Sequence, residues 1–169
     1  MVCDSIANSA RNAPIQFFVM ITIPETDAMS DPHHLQRFVE AQAGVYADVV
    51  RELAAGRKRS HWMWFIFPQV AGLGFSEMAQ RFAIGSRDEA RAYLAHDILG
   101  SRLIECTGLV MAVTGKTVHD ILGSPDDLKF HSSMTLFGAV SGDPLFDAAL
   151  AKYFAGAKDQ ATLDILARL

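Results

Sequence analysis

The chain has 169 residues, of which 50% are hydrophobic and 20% are charged, and its formal net charge at pH 7 is −4. This composition excludes disordered, collagenous and low-complexity chains, and the length suits one well-packed core. The negative charge disfavours non-specific binding to a nucleic acid or an anionic membrane surface. Two cysteines, Cys3 and Cys106, do not resemble a disulfide framework or a pair of metal ligands. We therefore expect a reducing, cytoplasmic compartment, no metal and no cofactor.

The N-terminal region carries an apolar patch, residues 15–23, that Gln16 and Thr22 interrupt and Pro24 closes. It is too short for a transmembrane span and has too little basic charge before it for a good signal peptide. Met29 stands directly before the first strong helix signal. We predict a variable or poorly ordered N-terminal extension over residues 1–28 and a helical domain over residues 29–169.

The first helix signal is Asp31-Pro32, a capping residue followed by a proline that suits the first helical position. The apolar stripe that follows predicts a helix that is broken near Gly44 and stops at Gly56. Further along, Ser86 and Glu89 have the spacing of a capping box and predict the start of another helix.

Residues 98–113 carry apolar side chains at spacings of three and four, which predicts a longer amphipathic helix. Ser124-Pro125 and Asp143-Pro144 repeat the signal of a cap followed by proline, and residues 159–169 read as a short last helix. Residues 60–74 stay unassigned, because a short apolar run fits either a strand or a helical turn. The fold class predicted is all-α or mainly α, in a single compact multi-helix domain.

Polar groups inside apolar runs are more informative than the stripes, since a buried unpaired polar group costs roughly 1 to 3 kcal/mol. The first such segment, residues 58–69, contains aromatic rings with polar neighbours. These rings could form a stacking platform for a base or a similar ring. The competing interpretation is that each tryptophan is a core residue and that the histidine is held by ordinary hydrogen bonds. The candidate ligand-binding residues of this segment are Lys58, Ser60, Trp62, Trp64 and Gln69, with His61 between them.

The second segment lies in the helix predicted after Pro125, where Lys129, Ser132, Ser133 and Thr135 fall on adjoining helical rows. A lysine with three hydroxyl donors suits a phosphate or carboxylate. Alternatively, the hydroxyls bond back to carbonyls of the preceding turn and have only a structural role.

Three stretches of the chain together resemble a known bacterial family, the domain of unknown function 1810. They are KRSHWMWFIFPQVAGLGFSEMAQRFAI, EARAYLAHDILGSRL and SPDDLKFHSSMTLF, and the resemblance covers residues 32–169. The resemblance implies an all-helical fold of its own type, and it implies no reaction. Some members carry the label calpastatin, but inhibitors of that kind are long, disordered and polar, whereas this chain is half hydrophobic. Arg102 stands at one of the family's hallmark positions.

We expect the two polar segments to meet in one cleft that binds a phosphorylated or nucleotide-like small molecule. Trp62 or Trp64 would stack on a ring of the ligand. The anionic group would be neutralised by Lys58, Arg102 and Lys129, and hydrogen bonds would come from the hydroxyls of Ser60, Ser132, Ser133 and Thr135. If a transfer or hydrolysis reaction takes place there, His61 is the natural proton shuttle. Whether the chain is an enzyme stays open. The alternatives are a helical protein-interaction module whose aromatic run binds a partner or a second copy, and an internal hydrogen-bonded network that only fastens the core.

Overall fold

The computed structural model describes residues 31–169, which form a compact helical domain. The predicted boundary at residue 28 lies outside the described residues. The described part contains ten helices: α1 Gln36–Ala43, α2 Tyr46–Ala54, α3 Met63–Ile66, α4 Glu77–Arg81, α5 Arg87–Ala95, α6 Leu99–Ala112, α7 Val118–Leu122, α8 Asp126–Ser141, α9 Pro144–Phe154 and α10 Gln160–Leu166. The prediction of an all-α or mainly α fold is confirmed.

Several predicted helix ends are confirmed by the capping geometry. Gly44 separates α1 from α2, and Gly56, with φ of +61°, follows the end of α2. Asp143 caps α9 by accepting a hydrogen bond from the backbone N–H of Leu145, with Pro144 in the first turn. Two of these ends were predictable from local features, since Asp143 acts through its own side chain and Gly56 through a left-handed backbone conformation.

The helix starts predicted at Asp31-Pro32 and Ser124-Pro125 were wrong for local reasons, whereas the start predicted at Ser86 is confirmed with only part of its cap. The first helix begins at Gln36 and not directly after Pro32, because residues 31–34 form a separate turn. The Asp31 carboxylate reaches past this turn and accepts hydrogen bonds from the backbone N–H groups of Leu35 and Gln36. Ser86 caps α5, but only half of the predicted capping box forms, since the Glu89 carboxylate binds Arg37 instead. At α8, Pro125 itself is the cap residue.

The core is organised around α8, which packs against α5, α7, α9 and α10. Its central residues from 132 to 137 are buried on all sides, so it does not have a clear polar face. The Phe130 ring meets the Phe67 ring edge to face at 5.0 Å between centroids. The aromatic segment, residues 62–67, is therefore in direct contact with α8, as the hypothesis of a shared cleft requires.

The segment left unassigned, residues 60–74, contains the single helical turn α3 and an extended stretch that pairs briefly with the chain after α4. Val70 forms an isolated parallel bridge with Ile84. On α3, Met63, Phe65 and Ile66 are buried and Trp64 is only partly buried. Among residues 31–169, no helix combines the length and the apolar character needed to cross a membrane.

Candidate functional site

Trp64 lies in an open groove between the aromatic segment and α8. This groove, which we call the Trp64 groove, has a volume of about 410 Å³. One wall comes from the loop before α4, and the opposite wall comes from the first two turns of α8 and the start of α10. It is lined by Trp64, Gln69, Leu73, Gly74, Phe75, Ser76, Ala79, Pro125, Leu128, Lys129, Ser132, Asp159 and Ala161. Four predicted ligand-binding residues thus share one groove, namely Trp64, Gln69, Lys129 and Ser132.

Two lysines meet on a single carboxylate beside the groove. The Lys129 Nζ lies 2.8 Å from Asp126 Oδ1, and the Lys58 Nζ lies 2.7 Å from Asp126 Oδ2. The Lys129 ammonium also sits over the Trp64 ring, 4.6 Å from its centroid. Burial of Asp126 acts to raise its pKa, but the ammonium groups of Lys129 and Lys58 outweigh that effect and hold the pKa below its usual value. The cluster therefore carries two positive charges and one negative charge.

Ser60 and Trp62 belong to a neighbouring cluster around the Glu52 carboxylate. This carboxylate accepts hydrogen bonds from Ser60 Oγ at 2.7 Å, Trp62 Nε1 at 2.8 Å and the backbone N–H groups of Arg59 and Ser60 at 2.8 and 3.1 Å. Burial acts to raise the pKa of Glu52, and these four hydrogen bonds lower it to about 2. The Trp62 ring is buried, with 1% of its surface exposed, so no ligand can stack on it without a rearrangement.

The α8 hydroxyls have mostly internal partners. Ser132 Oγ donates to the Leu128 carbonyl, and Thr135 Oγ1 donates to the His131 carbonyl at 2.9 Å while accepting from the Asp159 backbone N–H at 2.9 Å. The alternative, in which hydroxyls of α8 donate to carbonyls of the preceding turn, therefore holds for Ser132 and Thr135. Of these hydroxyls, only that of Ser132 also reaches the Trp64 groove.

Ser133 is the exception, because its hydroxyl is fully buried without a hydrogen-bond partner among the described residues. An unpaired buried hydroxyl lowers stability, so we expect Ser133→Ala to raise the free energy of unfolding by up to about 1 kcal/mol. Thr135→Val, which removes a paired hydroxyl, should instead lower it by about 1 kcal/mol. Urea denaturation of both variants checks this difference, and a marked loss of stability in Ser133→Ala would contradict it.

Arg102 and His61 also lie outside the Trp64 groove, as do the other predicted site residues that do not line it. The Arg102 guanidinium donates to Gln42 Oε1 at 3.1 Å and stacks over the Tyr46 ring at 4.2 Å, on the side of α6 that faces α1 and α2. His61 is exposed on the loop between Ser60 and Trp62 and does not line the groove. The folded chain does not bring either residue to Lys129.

Comparison with known proteins places the chain in a family. A family model described as a protein of unknown function, DUF1810, matches residues 32–166. The chain belongs to this family. A similar solved structure is the crystal structure of the conserved hypothetical protein Rv1873 from Mycobacterium tuberculosis, with 57% sequence identity and a TM-score of 0.80. The similarity covers 81% of this chain and 99% of the mycobacterial chain. No curated protein matched the chain.

The residues that organise the candidate site of this DUF1810 chain include several that sequence reasoning missed. They are Asp126, Glu52 and Phe75, none of which the sequence analysis identified as a candidate site residue. Phe75 is a large apolar residue, yet 85% of its surface is exposed, and it lines the groove. Only Phe75 carried a usable signal, since it stands next to Gly74 and Ser76, in a stretch where turn residues surround a large apolar side chain.

Proposed function

We propose that the Trp64 groove binds an anionic small molecule that carries a ring, such as a nucleotide or another phosphorylated compound. The observation that carries this proposal is the position of the Lys129 ammonium: it lines the groove over a partly exposed indole, and it shares its carboxylate partner, Asp126, with a second lysine, Lys58. A phosphate oxygen could bind the Lys129 ammonium without displacing Asp126, because an ammonium group has three donors.

The two ends of the groove differ in charge, which gives the ligand an orientation. The Asp159 carboxylate lines the end near α10, where its Oδ2 accepts hydrogen bonds from Ser132 Oγ, the Thr162 backbone N–H and Thr162 Oγ1. A ligand phosphate is repelled from that end and attracted to Lys129. The ring then lies against the apolar wall that Trp64 and Phe75 provide.

The proposal is one of binding. It does not include the predicted transfer or hydrolysis reaction, because His61, the predicted proton shuttle, does not line the Trp64 groove. That reaction stays a prediction. The proposed ligand is a small molecule rather than a nucleic acid or a membrane surface, in keeping with the net charge of −4. A cytoplasmic location is also proposed, and the buried, unpaired thiol of Cys106 supports it.

The test is a titration with AMP, ADP, ADP-ribose and sugar phosphates, followed by thermal shift and by tryptophan fluorescence. The chain has two tryptophans, Trp62 and Trp64, and only Trp64 lines the groove, so a ring that stacks there should change its emission. We expect saturable stabilisation by at least one ligand of this class. Lys129→Ala should weaken binding about tenfold, since a charge-assisted hydrogen bond contributes roughly 1.5 kcal/mol or more.

Lys152→Ala is the matched control, because Lys152 also stacks on an aromatic ring, that of Tyr153, but lies outside the groove. It should bind the ligand as the unchanged protein does. Equal affinity of Lys129→Ala and the unchanged protein would contradict the proposal, and so would a panel in which no compound gives a saturable shift.

A second candidate function rests on two exposed apolar side chains at the rim of the same groove. Phe75 is 85% exposed and Leu128 is 62% exposed, which suits an interaction surface. This candidate predicts that the chain associates with itself and that Phe75→Ser abolishes the association. Sedimentation velocity over a range of concentrations distinguishes the two functions, because a purely monomeric chain leaves only the small-molecule proposal.

A further inference from the structure

A second pocket lies beside Glu52, and its lining is rich in arginine. This arginine pocket has a volume of about 290 Å³ and is lined by Arg51, Glu52, Ala55, Arg57 and Arg59. None of its residues lines the Trp64 groove. The pocket is therefore a separate feature from the site of the proposed function.

The backbone after α2 explains why two arginines face the same way. Residues 57–59 are not helical, and side chains of extended backbone alternate between opposite sides. The side chain of Lys58 points inward, with 8% of its surface exposed, and ends on Asp126. Arg57 and Arg59, on either side of it, are exposed and reach the pocket that Arg51 approaches from the end of α2.

The charge balance of the pocket favours an anion. Glu52 is the only acidic residue that lines it, and its carboxylate is directed to four donors: Ser60 Oγ, Trp62 Nε1 and two backbone N–H groups. Arg51 pairs with Asp48 at the exposed surface. Within residues 31–169, Arg57 and Arg59 form no ion pair and donate no side-chain hydrogen bond. Two guanidinium groups are thus available in a chain whose net charge is −4.

We infer that the arginine pocket is a binding site for a phosphate group of a small molecule. Guanidinium forks match the oxygens of phosphate in pairs, which gives arginine an advantage over lysine for this ligand. The pocket, with a volume of about 290 Å³, has room for a phosphate or pyrophosphate group. The ligand's phosphate binds between Arg57 and Arg59, while Arg51 supplies additional positive charge.

The experiment is a titration of the full chain with inorganic phosphate and with pyrophosphate at constant ionic strength, followed by backbone amide NMR shifts. We expect saturable shifts at residues 51–59. The double variant Arg57→Gln/Arg59→Gln should weaken binding at least tenfold. Arg57→Lys/Arg59→Lys, which keeps both charges and removes the forks, should weaken it by a smaller factor.

Arg91→Gln is the matched control, because Arg91 forms with Asp88 the same exposed i,i+3 pair that Arg51 forms with Asp48. It should bind phosphate as the unchanged protein does, and Lys129→Ala should also leave the shifts at residues 51–59 in place. Shifts that increase linearly without saturation, or equal affinities in the Gln double variant and the Arg91 control, overturn the inference. If Arg57→Gln/Arg59→Gln does not fold, the phosphate affinity of Arg57→Lys/Arg59→Lys gives the test, and an affinity equal to that of the unchanged protein contradicts the inference.

Discussion

Asp126→Ala is expected to lower the free energy of unfolding by about 3 kcal/mol, because it leaves two close ammonium groups without their shared anion. The Lys58 side chain is 8% exposed and the Lys129 side chain is 19% exposed, so water cannot fully replace the carboxylate at either. Breaking a buried pair costs more than an exposed pair contributes, since the remaining charge stays desolvated. Guanidinium denaturation of the variant measures the loss.

Asp147→Ala is the control for this prediction. Asp147 also lies in the first turn of a helix, α9, and pairs with Lys158 at 3.7 Å, but its side chain is 59% exposed. We expect that variant to lose less than about 1 kcal/mol. Adding Lys58→Met to Asp126→Ala should recover part of the lost stability, because it removes the more deeply buried unpaired charge. Similar losses in Asp126→Ala and Asp147→Ala would show that the carboxylate does not hold the two lysines.

The helices of this fold were predictable where a single residue determines a helix end. The Asp143-Pro144 signal and Gly56, whose φ is +61°, act through local backbone geometry, so the sequence contains their cause. The turn α3 could not be distinguished from a strand, because its four residues are too few to show a period. The helices α4 and α7, of five residues each, were not predicted for the same reason.

The sequence predicted which residue types form the candidate site, but not which of their side chains contact each other. Trp62 and Trp64 looked equivalent in the sequence, but the one-turn helix buries the first against Glu52 and leaves the second in the groove. Arg102 carries the same charge as Lys129, but its distance along the chain gave no information on which helix face it would approach. Pairing of this kind depends on tertiary packing, which local spacing does not specify.

The role of the acidic residues was the largest gap between sequence and structure. Acidic residues near helix ends are common on exposed faces, so neither Glu52 nor Asp126 departed from what solubility alone requires. Both became identifiable only from the folded chain, in which Lys58 reaches Asp126 and the loop after α2 turns back to place its donors on Glu52. Each of these two carboxylates borders one of the proposed sites: Asp126 pairs with Lys129 of the Trp64 groove, and Glu52, which accepts a hydrogen bond from Trp62, lines the arginine pocket.

Glu52→Gln is the second change with a large expected effect, a loss of about 3 kcal/mol in the free energy of unfolding. The amide has one acceptor oxygen where the carboxylate has two, and its NH₂ group would face backbone N–H donors of Arg59 and Ser60. The buried indole N–H of Trp62 competes for the one oxygen that remains. Glu40→Gln, at an exposed position on α1, is the control and should change stability by less than about 0.5 kcal/mol.

The pH dependence of this loss gives a sharper test than its size. Because the pKa of Glu52 falls from about 4.5 to about 2 on folding, its carboxylate stabilises the fold fully above pH 5 and loses this contribution as the pH falls toward 2. Glutamine does not titrate, so the difference in unfolding free energy between the unchanged protein and Glu52→Gln should shrink steadily from pH 5 to pH 2. A difference that stays constant over this range would mean that the four donors do not depend on the charge of Glu52.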